Sequence, residues 1–98
     1  MTVKQIRDEL KEVRYYYARK DVFDKALQEI DNTSIVQLVK KYNEAVCCAP
    51  PKLFDIYVSL YVNHLTQEAL SKELDYSPDY VHKLNDKLIK YLQEKLVA

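Results

Sequence analysis

The chain has no glycine, where average usage of about 7% would place about seven in 98 residues. That absence removes several chemistries. A P-loop, a dinucleotide fingerprint and a nucleophile elbow all need glycine where the backbone nears a ligand or turns sharply. It also argues against a β-rich fold, whose tight primed turns draw on glycine. Net charge is missing too. Fifteen Lys and Arg stand against fifteen Asp and Glu, so no global basic field holds nucleic acid non-specifically. No apolar run approaches the ~20 residues of a membrane helix. The N-terminus, residues 1–9, is polar and helix-periodic rather than a signal peptide. A cytoplasmic protein without membrane contact is therefore expected. Cysteine is limited to the adjacent pair Cys47 and Cys48. Helical neighbours point about 100° apart and seldom bridge, and no second pair completes a metal set. They are expected to be reduced thiols, buried or half-buried.

What is present is enough for one helical domain. A chain of 98 residues with 48% apolar side chains can bury a single core without staples. From Thr2, a plausible N-cap, Val3, Ile6, Leu10, Val13 and Tyr17 recur at spacings of three and four. The stripe meets Lys20 and resumes at Phe23, Ala26, Leu27 and Ile30. One long helix over 2–30 is expected, or two in close succession with Asp21 as the second cap. Asp31-Asn32-Thr33-Ser34 restarts a helix whose apolar face is Ile35, Leu38, Val39, Tyr42 and Val46. Pro50-Pro51 ends it, and Pro51 opens the next.

Residues 51–62 are apolar nearly all round, as in a central helix. Asn63-His64-Leu65 breaks it. Thr66 caps a short helix from Gln67 to about Leu74, Asp75-Tyr76 turns, and Ser77-Pro78 caps and opens a last helix to about Lys95. Val81, Leu84, Leu88, Ile89, Leu92 and Leu96 point inward from it.

Residues 65–84 meet the demands of a helix-turn-helix. Its two helices cross closely, so the first needs a small residue, and Ser71 supplies it. Leu70, Leu74, Val81 and Leu84 are expected to be mostly buried and mutually close across the turn, with Tyr76 beside them. The run LTQEALSKELDYSPDYV then resembles the helix-turn-helix of sigma-factor region four, whose pattern is roughly LTQEEIAEELGISRSTV. Leu65, Thr66, Gln67, Glu68, Glu73, Leu74, Ser77 and Val81 match it identically. The preceding PPKLFDIYVSLYVNH resembles the helix before that motif, including the proline entry and Tyr61. The resemblance covers about residues 50–97, and the whole chain is similar to small phage or mobile-element sigma-like regulators of Gram-positive bacteria. That family usually has glycine where Asp75 stands and often where His64 stands. A positive φ is accordingly expected at Asp75. Region two, which melts promoters, has no room here, so the resemblance implies a regulator rather than a complete sigma factor.

The expected architecture is all-α with five or six helices. A long N-terminal helix or helical hairpin (1–49) would serve interaction or dimerisation, and a region-four-like helix-turn-helix would fill 50–98. The expected function is sequence-specific binding of double-stranded DNA, with the recognition helix (about 77–95) in the major groove. Tyr80, His82 and Lys83 would meet base edges or phosphate, Lys87 would meet phosphate, and Asp79 would accept from cytosine N4 or simply repel phosphate. The resemblance implies RNA polymerase as a second partner. The aromatic and apolar surface of residues 2–30 points to a homodimer through the N-terminal helices. Residues 51–98 hold six cations, none of them Arg, against seven anions. That balance favours an alternative, a protein-interaction module using the motif as scaffold; a phage packaging component is a third reading. No catalytic set is present, His64 and His82 are isolated, and no metal or cofactor is expected. Tyr15-Tyr16-Tyr17 would put Tyr17, with or without Tyr16, in the core and Tyr15 at the surface, or form a partner patch. Arg7, Lys11, Arg14, Arg19 and Lys20 are offset by Asp8, Glu9, Glu12 and Asp21, which reads as a solvated face.

Overall fold

The structure, a computed structural model, describes residues 1–20 and 34–96. It is all helical: α1 (Val3–Ala18), α2 (Ser34–Val46), α3 (Pro51–Tyr57), α4 (Gln67–Leu74) and α5 (Pro78–Lys95). A π-helical stretch, Val58–Val62, continues α3. The expected caps at Asp21 and residues 31–33, and the stripe from Phe23 to Ile30, lie outside the described residues.

Local chemistry sets the helix starts. The Thr2 hydroxyl accepts from Gln5 N–H at 3.1 Å while the Gln5 side chain accepts from Thr2 N–H at 2.8 Å, a reciprocal capping box. Pro51 and Pro78 occupy the first helical positions of α3 and α5, where a missing N–H is harmless. The Thr66 and Ser77 hydroxyls cap α4 and α5 through Ala69 N–H and Tyr80 N–H.

Every other helix packs on α5, and α1 also lies against α2 and the π stretch. One core results, running through Ile6, Leu10 and Val13 of α1, Tyr42 and Val46 of α2, Ile56 and Tyr57 of α3, and Leu88 and Leu92 of α5. The segment 51–62 is central as expected, touched by α1, α2, α4 and α5, although Phe54 faces out. Leu96 is half-buried and Val3 exposed. From Ile6 to Val13 the α1 stripe is covered within the chain.

Three expectations are corrected. Tyr16, not Tyr17, completes the buried stripe, while the Tyr17 hydroxyl reaches the Asn43 side chain of α2. Tyr17 is displaced to the flank, edge-on to Tyr16 at 5.2 Å. Leu74 is exposed at 44% while Leu70 is buried at 1%. Leu74 ends α4, one turn beyond Leu70 and Ser71, which are the buried residues of that helix. Cys47 and Cys48 are both exposed, because α2 has ended at Val46 and neither sits on a helix face.

Buried Tyr42 and Tyr57 and half-buried Tyr91 tie the helices together by their hydroxyls. Tyr42 donates to Glu9 at 2.6 Å, Tyr57 to the Asn43 side-chain carbonyl at 2.7 Å, and Tyr91 to the Ala45 carbonyl at 2.9 Å. The Asn43 amide donates in turn to Tyr17 at 2.9 Å. These bonds join α1 to α2, α2 to α3 and α5 to α2, so each ring fills the core and its polar tip fixes an interhelical angle.

Candidate nucleic-acid interface

The unit α4–turn–α5 is built around a two-sided clasp. Ser71, buried at the crossing, donates its hydroxyl to the Tyr76 carbonyl at 2.6 Å. The Ser71 carbonyl accepts from Asp75 N–H and from Tyr76 N–H. One small residue thus allows close approach and ties down both strands of the turn. Asp75 takes the left-handed conformation, φ 55° and ψ 35°, as expected. His64, before α4, is also left-handed at φ 64°. An L-residue loses roughly 1–2 kcal/mol in that region, less for Asp. A chain without glycine accepts that loss at two turns.

The sequence-derived contact residues divide between two sides of α5. Asp79 and Lys83 pair at 3.3 Å on the exposed outer face. His82 Nε2 lies 3.4 Å from Asp86, which also receives Arg7 from α1 at 3.3 Å. Lys87 is exposed and makes no ion pair among the described residues. Tyr80 turns the other way. It is half-buried, edge-on to Tyr76 at 4.9 Å, and its hydroxyl accepts from Lys52 of α3 at 3.1 Å. The Tyr80 hydroxyl beside it holds the Lys52 ammonium above its ordinary pKa. Lys83, His82 and Lys87 therefore share an accessible face, while Tyr80 belongs to a flank with Lys52.

A second wall faces His82. Lys4, Arg7, Lys11 and Arg14 stand at steps of three and four along α1, one stripe beside its apolar one. Together with Thr66 and Gln67 at the start of α4, and His82 and Asn85 of α5, they line a cleft of about 560 Å³. Its floor is apolar, from Leu60, Tyr61 and Leu65. Burial pushes the Tyr61 phenol up to about 12, against the opposing pull of Asn85, Arg7 and Arg14. The Tyr61 hydroxyl donates to Asn85. Arg14 donates from Nη2 to the His64 carbonyl at 2.8 Å, which lays it along the wall. Charge in the cleft is only partly matched. Asp8 pairs with Lys4 at 3.7 Å and Asp86 with Arg7, whereas Lys11 has no ion-pair partner among the described residues.

In the sequence Lys4, Arg7, Lys11 and Arg14 share the polar face of the first helix, where the neighbouring Asp8, Glu9 and Glu12 offset them and the face reads as solvated. The 4–7–11–14 spacing was the available signal. Nothing local indicated that the stripe would face residues 66, 67 and 82. Among the described residues no group of His, Cys, Asp and Glu is arranged to hold a metal ion, and no helix is long and apolar enough to cross a membrane.

No protein-family model matches the chain, and no curated protein or solved structure matches it.

Proposed function

We propose that this chain is a small transcriptional regulator that binds double-stranded DNA by docking α5 in the major groove. The observation that carries the reading is the α4–turn–α5 unit. It has a three-residue connection, a left-handed residue at its start, a small buried residue at the helix crossing and a capped second helix with an open outer face. Lys83, released from Asp79, reaches a base edge or its phosphate. His82 donates to a guanine acceptor, and Lys87 holds phosphate. Tyr80 buttresses the flank with Lys52 and offers its ring edge to a thymine methyl. Asp79 accepts from cytosine N4 and otherwise opposes phosphate. RNA polymerase is the second partner in this reading, on the strength of the motif resemblance.

A second reading, a protein-interaction scaffold, draws support from exposed apolar side chains. Leu74 and Tyr76 are exposed, and they line a small cleft with Lys52, Asp55 and Ile56. Fluorescence anisotropy separates the two, using a selected site and random duplex at two salt concentrations. The regulator binds both with a steep salt slope, prefers the selected site, and loses about 1 from that slope on Lys87→Ala. Absence of binding to any duplex at about 50 mM salt refutes the regulator and leaves the scaffold.

A further inference from the structure

Major-groove docking presents a protein with phosphate strands on both sides of the recognition helix, and α5 supplies few cations of its own. Three features of the cleft bear on that shortage. The first is the α1 stripe, four cations on one face against Asp8 and the rim carboxylate Asp86. The second is its position. The stripe faces His82 on the outer side of α5 and the capped start of α4, whose N–H groups favour negative charge. The third is the anchoring of Arg14, whose Nη2 donates to the His64 carbonyl at 2.8 Å and so holds the guanidinium against the cleft wall.

We infer that the α1 cleft is a phosphate-backbone clamp: Lys4, Arg7, Lys11 and Arg14 grip one strand of the duplex that α5 reads. The inference rests on the DNA reading of α5 and deepens it. It also answers the missing arginine of residues 51–98. The guanidinium groups come from α1, at least 64 positions before the start of α5, and positioning is separated from discrimination. Arg7 is held by Asp86, so the cation nearest α5 is oriented before DNA arrives. Lys11, exposed and without an ion-pair partner among the described residues, is the contact most available to a phosphate.

The test compares three lysine variants by anisotropy on random duplex across a salt series. Lys4→Gln/Lys11→Gln removes two cleft cations at exposed positions, leaving the core untouched. Lys87→Gln removes a cation from α5. Lys40→Gln makes the same charge change on the exposed side of α2, away from the cleft. Each backbone contact contributes about 0.9 to the salt slope, or on the order of tenfold in affinity at about 50 mM salt. The cleft variant is expected to lose about 2 from the slope, on selected and random sites alike, while Lys40→Gln changes it little. A cleft variant indistinguishable from Lys40→Gln, with Lys87→Gln still impaired, overturns the clamp and leaves the α5 reading standing. Failure of the wild-type chain to bind any duplex overturns both. Loss of polyglutamate binding in the cleft variant with duplex binding intact assigns the cleft to an acidic protein and overturns the clamp.

Discussion

The side chain of Asn43 sits between two tyrosines, and removing it exposes how the helices are held. Its carbonyl accepts from Tyr57 at 2.7 Å and its amide donates to Tyr17 at 2.9 Å. Tyr57 is 2% exposed, so water does not replace the lost partner. Asn43→Ala removes two hydrogen bonds, each worth about 0.5–1.5 kcal/mol, and strands one buried hydroxyl. The expected destabilisation is about 2–4 kcal/mol. Tyr57→Phe removes one bond and leaves the half-buried Asn43 carbonyl able to recruit water, for about 1 kcal/mol. In the double variant the stranded hydroxyl no longer exists. Its loss is expected to fall about 1–2 kcal/mol short of the sum of the single losses, within the range for residues in direct contact. Urea unfolding followed by circular dichroism measures all four chains, provided the slope with denaturant is unchanged. Single losses that add to within about 0.3 kcal/mol, or an Asn43→Ala chain as stable as wild type, would refute the reasoning.

Three further outcomes are expected. Leu70→Ala should destabilise by about 2–5 kcal/mol in thermal melts, and Leu74→Ala by under about 1, because only Leu70 vacates a buried site; equal losses would contradict the crossing at Ser71. Asp75→Gly should be neutral or stabilising by up to ~1 kcal/mol, whereas Asp75→Val should destabilise clearly, since a branched side chain fits φ 55° poorly; a tolerated valine would show that the turn is not held left-handed. The folded chain holds the phenols of Tyr42, Tyr57 and Tyr61 above the ordinary value near 10, chiefly by burial, while the unfolded chain releases those protons near 10. Their stabilising contribution is therefore whole below about pH 10 and is lost as pH rises through 12 and beyond. Unfolding midpoints in urea should fall steeply above pH 10, and a flat profile to pH 12 would refute this.

Much of the fold was legible because short-range chemistry decided it. The caps at Thr2, Thr66 and Ser77 and the prolines at 51 and 78 act within one turn of themselves, so their neighbours in sequence contain the whole cause. The left-handed Asp75 was legible through the resemblance to a motif that usually has glycine at that position. Tyr16 and Tyr17 were not separable, since steps of three and four from Val13 are equally helical. Leu74 follows the apolar period of α4 but lies beyond the crossing, and periodicity carries no information on where two helices part. For the candidate interface, Asp79, His82, Lys83 and Lys87 were visible as exposed residues of α5, whereas Tyr80, expected on the same face, lies half-buried on a flank against Tyr76 and Lys52. The α1 wall was not visible, because it exists through tertiary contacts between residues such as Arg7 and Asp86, 79 positions apart.

The π stretch has a consequence for how the length of this protein can change. Asn63 N–H reaches back five residues to the Val58 carbonyl, at 2.8 Å. The turn thus holds one residue more than an α turn. Excising one residue between those two groups closes the same bond across four, which is α-helical spacing, and the helix-turn-helix beyond keeps its orientation. Excising one residue within α5 instead swings every later side chain by about 100° and turns its core face away. Loss of Ser59 should therefore leave a chain with a cooperative melt, where loss of Lys87 abolishes it. In a lineage that gains and sheds single codons, Val58–Val62 is a place where such a change leaves α4 and α5 unturned.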